Sequence, residues 1–214
     1  PLYGMAGELK LEDYIGFQYR LSHEIDYIEL KIGEIIKIGD YELEVIDIKA
    51  HTPGHIGFYE KKHKFLFGGD TVLDPITPNI TFWGFKYENL LGTYIETLKK
   101  VRELDLERIF SAHRVLIENP KTRIDDIIYH HYLRLQEILD AMDSDRDDYT
   151  VREISTKISW RIRTKNWDEF PIPQKWFAVG ETMAHLIFLL DYGYVSSRTE
   201  DGILRFRKLK SNIL

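Results

Sequence analysis

Three polar side chains, His55, Asp70 and His113, stand where short β-forming runs meet turns, and this placement restricts the fold more than any other feature of the chain. In "HTPGHIGFYEKKHKFLFGGDTVL", His51 to Leu73, a turn with two histidines leads into two strand-like runs, "IGFYE" and "KFLFGG". The runs reverse at Lys61 to Lys64 and stop just before Asp70. Pro53-Gly54 bends the backbone so that the His55 ring can point off a sheet, and Gly68-Gly69 removes side chains that would crowd a bound ion. A later short run, "RIFSAH", ends at His113. Side chains at the ends of strands in a rigid sheet can converge in space while distant in sequence. Neutral imidazoles with a carboxylate suit Zn²⁺, Fe²⁺ or Mn²⁺. Taken singly, each of the three is more often a strand-end hydrogen-bonding residue than a ligand. The chain has no cysteine, so it can form neither a disulfide nor a thiolate site, and any transition metal must be held by His, Asp and Glu.

Strands and helices alternate through the first two thirds of the chain. "EIIKIGD" and "YELEVIDIKA" read as two strands joined at Gly39-Asp40, a turn dipeptide between β-rich runs. The stretch from Asp13 to His23 has mixed spacing and is left as helix or loop. "TVLDPITPNITFWGFKYE" carries two prolines and four aromatics and cannot be a helix. Leu91, Tyr94, Ile95, Leu98 and Val101 mark one face of a helix from Asn89 to Leu104. A second helix takes Asn119 as N-cap and Pro120 as its first residue, and runs to about Met142. This alternation indicates an α/β layer architecture. On the second helix, His130 and His131 point about 100° apart and cannot both face one ion; His131 is placed on the buried side and His130 partly outside.

Beyond Met142, "DSDRDD" reads as a polar linker, so the chain is divided into 1–142 and 143–214. Thr150 and Glu153 form a capping-box pattern at the head of a helix ending near Ser159. A longer helix is expected from Gln174 to Tyr192, and "YVSSRTEDGILRFRKL" reads as a hairpin turning at Asp201-Gly202. Helices followed by a hairpin describe a winged helix. Such modules often bind DNA, but residues 143–214 hold 12 Lys and Arg against 11 Asp and Glu, and the whole chain carries a formal charge of -6. That balance argues against nucleic acid as a partner and favours packing beside an active site or a homodimer contact.

"HTPGH", "FGGD" and "SAH", in this order, resemble the second half of the metallo-β-lactamase fold, and "GDTVLDPITPNITFWG", "RIDDIIYHHYLRL" and "GETMAHLIFLLDYGYV" are similar to its glyoxalase-II-like branch with a winged-helix tail. The resemblance covers nearly the whole chain and implies an α+β fold: the C-terminal half of an αββα sandwich followed by a small winged-helix domain. It implies two divalent metal ions, Zn or else Fe or Mn, with His55 and His113 as ligands and Asp70 as the residue that bridges them. The implied activity is hydrolysis of a small ester, thioester or lactone by metal-bound hydroxide. A nuclease or phosphodiesterase of the same fold and a metal-free interaction protein are the alternatives.

The family's upstream His-x-His-x-Asp-His signature does not occur in these residues. With Pro1 in first position, this marks the chain as a fragment whose isolated activity is expected to be lost. Such a half would present a large apolar sheet face, unfavourable by roughly 25 cal/mol per Å², so the missing N-terminal half or another chain is expected to cover it. Phe82, Trp83 and Phe85 follow closely on Asp70 and are candidates to line a substrate pocket; packing into the core is the competing role. His51 is read as a strand-end hydrogen-bonding residue, His63 as solvated in a charged turn, and His185 as packed or making one hydrogen bond. The sequence shows no membrane span and no targeting peptide at its start, and the lack of cysteine fits a reducing cytoplasm.

Overall fold

The computed structural model describes residues 26–213 apart from 144, 147 and 165; the Asp13 to His23 stretch lies outside the described residues. They divide into two compact units, one of Tyr27–His131 and the other from Tyr132 onward.

The first unit is built on a five-stranded sheet in the order β1-β2-β3-β4-β5, with β1 at Ile35–Ile38, β2 at Tyr41–Asp47, β3 at Ile56–Glu60, β4 at Phe65–Gly69 and β5 at Arg108–Ser111. The first four strands form an antiparallel meander, and β5 lies parallel to β4. Gly39 turns the first hairpin with φ +58, a conformation that costs glycine little. A parallel neighbour requires a crossover. Helix α1, Leu90–Glu103, supplies it, capped by the Asn89 side chain, which accepts from Gly92 N at 2.8 Å. Its predicted apolar face is the buried one: Leu91, Tyr94, Ile95, Leu98 and Val101 are all inside.

Strand alternation sends β4 and β5 residues to two different faces. Leu66 and Ile109, in register, are fully buried on one. Phe65, Phe67 and Phe110 lie on the other, with ring centroids 5.1 to 5.5 Å apart. Phe67 and Phe110 remain 42% and 38% exposed, so this face is apolar and partly open, as the sequence led us to expect. His63 is exposed, as its charged turn suggested, and in addition its Nδ1 lies 3.0 Å from the buried Glu60 carboxylate and its ring edges onto Tyr41.

Helix α2, Pro120–Asp140, begins with Pro120 as anticipated and ends two residues before Met142. His131 is buried on it and His130 is not, and the His131 ring meets Tyr94 edge-on at 5.5 Å. The second unit adds β6 (Tyr149–Thr150), α3 (Val151–Lys157), α4 (Ile172–Asp191), β7 (Val195–Glu200) and β8 (Ile203–Lys208), the strands ordered β6-β8-β7. Thr150 and Glu153 close a capping box on α3. The β7–β8 turn has positive φ at both Asp201 and Gly202, as the Asp-Gly dipeptide predicts. Between α3 and α4 the buried Ser155 hydroxyl donates to Thr182 Oγ1 at 2.9 Å, and His185 Nδ1 lies 2.8 Å from the Glu181 carbonyl. Strand β6 was not foreseen, because two residues are too few to carry a period. Among the described residues no helix is long and apolar enough to cross a membrane.

Candidate functional site

Three chain connections meet at one rim of the five-stranded sheet: the β2–β3 turn, the end of β4 and the end of β5. In the first, His55 N donates to Thr52 O at 3.2 Å, closing the Pro-Gly turn, and His55 O accepts from Ile48 N, so His55 sits immediately before β3. In the second, the pairing with β5 slips between Phe67 and Gly69, Gly69 takes φ +51, and Thr71 N donates back to Gly68 O at 3.0 Å. The chain thus leaves the sheet at Asp70. In the third, Ala112 N donates to Gly69 O at 2.9 Å and draws the loop after β5 toward the same place. Strand β5 ends at Ser111, two residues short of His113, so His113 belongs to the loop and not to the strand.

The Asp70 carboxylate is flanked by two imidazoles. His113 Nε2 lies 3.5 Å from Oδ1 and His51 Nε2 lies 3.6 Å from Oδ2. These separations exceed an ordinary hydrogen bond, and the buried Oδ1 has no hydrogen-bond partner among the described residues. A buried carboxylate oxygen left in this way is costly unless a cation completes it.

His55 joins the group from the side. Thr71 Oγ1 lies 3.3 Å from the Ile48 carbonyl and 3.3 Å from His55 Nδ1. The carbonyl can only accept, so the hydroxyl gives it its proton and accepts from Nδ1–H, leaving a lone pair on Nε2. That nitrogen lies over Gly69, where a Cβ would stand 2.2 Å from it. Burial, then the neighbouring His51, pull the His55 pKa down, with Asp70 opposing, which favours the neutral ring that a metal needs. The residue types, the orphaned oxygen and the His55 tautomer fit a divalent metal. The described residues do not by themselves complete a set of three or more ligating side chains around one point.

The backbone that follows Asp70 is held carbonyl by carbonyl. Tyr94, fully buried on α1, donates its hydroxyl to Thr71 O at 2.6 Å, and burial pushes that hydroxyl's pKa well above its ordinary value. Ser111 Oγ donates to Val72 O at 2.7 Å, and Arg123 on α2 donates to Leu73 O at 2.6 Å and Ile76 O at 2.9 Å. Sequence reasoning placed Tyr94 only on an apolar face and missed Thr71, Ser111 and Arg123; it read His51 as a hydrogen-bonding residue, which it is, and gave contact with the site only as the lesser alternative. The one available signal for His51 was its position four residues before His55. In the loop, Trp83 and Phe85 are 44% and 58% exposed, and Phe82 meets Phe85 edge-on at 5.0 Å. Trp83 and Phe85 therefore do not pack into the core.

One sheet rim thus gathers imidazoles around one carboxylate, beside a loop with exposed aromatics. The family model of the metallo-beta-lactamase superfamily matches residues 2–113, and that of the metallo-beta-lactamase-like C-terminal domain matches residues 168–209. The chain belongs to the metallo-beta-lactamase superfamily. It is 24% identical over 135 residues to a beta-lactamase-like protein 2 homolog of Caenorhabditis elegans, covering 61% of this chain and 43% of that protein. A hydroxyacylglutathione hydrolase of Bdellovibrio bacteriovorus is 40% identical over 91 residues, 42% of this chain and 34% of its own length. A metallo-beta-lactamase family protein from Thermus thermophilus superposes with a TM-score of 0.75 at 25% identity, covering 91% of this chain and 58% of that one. The chain thus spans less than half the length of these curated relatives.

Proposed function

We propose that the rim formed by His55, Asp70 and His113 is part of a divalent-metal centre, zinc in the first instance, of a hydrolase acting on a small ester, thioester or lactone. The observation that carries this reading is the Asp70 carboxylate, flanked by two imidazoles with its buried Oδ1 unsatisfied. Asp70, His55 through Nε2, and His113 would hold the ions. When bound, such ions lower the pKa of water and polarise the substrate's carbonyl.

The chain's own residues do the rest. Thr71 fixes the His55 tautomer, and Tyr94, Ser111 and Arg123 hold the backbone that carries Asp70. Phe82, Trp83 and Phe85 offer an apolar wall for an acyl group. A thioester is the substrate we favour, supported by the names of two relatives, the Bdellovibrio hydrolase above and an acyl-coenzyme A thioesterase of Gallus gallus, 32% identical over 88 residues, 39% of this chain and 30% of its own length. We assign the second unit as a winged-helix module, and the open face of Phe65, Phe67 and Phe110 as a surface for a further β-layer. The test is metal analysis of the gently purified protein, followed by thioester, lactone and phosphodiester assays of the full-length protein with His55→Ala and Asp70→Ala. Less than about a tenth of an equivalent of Zn, Fe or Mn refutes the proposal. Activity unaffected by either substitution refutes it as well.

A further inference from the structure

We infer that the outer face of the β6-β8-β7 sheet carries a binding site for a phosphate group on a small polar molecule, a sugar phosphate in the first instance, built from Arg198, Arg205 and Arg207. The strand register brings these residues together. Leu204 and Phe206 are buried, so Arg205 and Arg207, which alternate with them on β8, take the opposite face. Arg198 lies directly across from Arg205, and Ser196 directly across from Arg207. The three arginines line one concavity of about 390 Å³ together with Asp148, Ser196 and Ser197. Small-molecule sites span roughly 300–1,000 Å³. No apolar side chain lines this one, so it suits a ligand without an apolar body: guanidiniums for the phosphate, serine hydroxyls for its hydroxyl groups.

Like charges directly opposite on neighbouring strands are destabilising, and Asp148 offsets that cost. One of its oxygens accepts from Arg198 Nε at 2.8 Å and from Arg198 Nη2, and the other accepts from Arg205 Nη1 at 3.1 Å. The Arg198 bond, more than any other contact, holds the Asp148 pKa below its ordinary value. The carboxylate therefore stays charged at neutral pH and keeps both guanidiniums oriented, so a ligand need not order them. Arg205 has an edge to spare. Its Nη2 donates to nothing among the described residues, and its buried Nε faces Glu200 Oε2 at 2.8 Å without forming a hydrogen bond. Adjacent guanidinium donors of this kind grip phosphate oxygens in pairs. Glu200, whose side chain is 43% exposed, is the group a ligand would displace. Elsewhere in residues 143–214 cations and anions nearly balance, 12 against 11 in all, so this unit suits one phosphate and not a chain of them.

The experiment is calorimetric titration of the full chain, kept metal-free so that the rim at Asp70 takes up no phosphate, with ribose 5-phosphate, ribose, inorganic phosphate and a short single-stranded oligonucleotide. Ribose 5-phosphate should bind with one equivalent and more tightly than inorganic phosphate, and ribose should give no heat. Arg207→Gln and Arg198→Gln should each weaken ribose 5-phosphate about tenfold or more, the loss expected for a charge-assisted hydrogen bond. Glu200→Gln, which removes the competing carboxylate, should tighten it. Arg163→Gln, an exposed cation of the same unit outside the concavity, should change nothing. Absence of binding by either phosphate overturns the inference, as does inorganic phosphate binding as tightly as ribose 5-phosphate. Equal losses in Arg207→Gln and Arg163→Gln overturn it too, and so does an oligonucleotide that binds more tightly than ribose 5-phosphate. Should Arg198→Gln fail to fold, Arg207→Gln and Glu200→Gln, both changes of partly or wholly exposed side chains, decide the matter by their opposite signs.

Discussion

Replacing Gly69 by alanine tests the site's geometry through two separable effects. At φ +51 an alanine is disfavoured by about 1–2 kcal/mol relative to ordinary backbone, offset by about 0.4–1 kcal/mol from the reduced freedom of the unfolded chain. The second effect is steric. The new Cβ would lie 2.2 Å from His55 Nε2, whereas ordinary contact begins near 3.4 Å, so the imidazole must retreat by about an ångström. That retreat breaks the Thr71–His55 hydrogen bond, worth about 1–1.5 kcal/mol, and takes from the histidine the partner that orients it, a loss that typically weakens metal affinity by about tenfold or more. Gly39→Ala provides the control, since Gly39 has φ +58 with nothing within 4 Å of its would-be Cβ. Urea unfolding of the metal-free proteins should show the shared backbone penalty in both variants and a further loss of about 1–1.5 kcal/mol in Gly69→Ala. Chelator competition should show a loss of about tenfold in metal affinity for Gly69→Ala alone. If Gly69→Ala matches Gly39→Ala in both measurements, His55 Nε2 does not occupy the position described.

Tyr94→Phe removes the buried donor to the Thr71 carbonyl and should destabilise the protein by about 1–3 kcal/mol in urea unfolding; a change within 0.3 kcal/mol, about the noise of such comparisons, would show that this carbonyl is satisfied otherwise. Arg123→Met deletes both donors to Leu73 and Ile76 and should speed proteolytic cleavage within residues 73–87, followed by mass spectrometry. Burial alone would raise the Glu60 carboxyl, but the bonds from the His63 backbone and ring outweigh it and hold its pKa below the ordinary 4.5. A carboxyl depressed in the folded state contributes stability that is present above its unfolded value and disappears as pH falls through its folded value. Urea midpoints measured from pH 6 to 3 should therefore fall more steeply for wild type than for Glu60→Gln, and parallel curves would refute that account.

Much of the frame was legible because it is written in short periods. Gly39-Asp40 and Asp201-Gly202 announce hairpins, and Asn119-Pro120 and Thr150 with Glu153 announce helix starts, since each is a local backbone requirement met by particular residues. The site was legible only as far as residue type and strand ends could carry it. Asp70 and His113 do meet, but His113 reaches Asp70 from a loop, guided by the Ala112–Gly69 hydrogen bond, which no spacing rule encodes. His51 was read as a strand-end hydrogen-bonding residue and does bond a carbonyl, but its partner, Asn79, lies 28 positions away in sequence, where no local pattern marks it. Tyr94 and Arg123 were hidden for a similar reason: their hydroxyl and guanidinium act on backbone carbonyls, which every sequence contains.

The fastening of the backbone between Thr71 and Ile76 has a consequence for how such a protein can diversify. Because side chains from α1, β5 and α2 grip main-chain oxygens there, the anchoring is indifferent to what the loop's own side chains are. Residues 82 to 85 can then be exchanged while the carboxylate at the rim keeps its place.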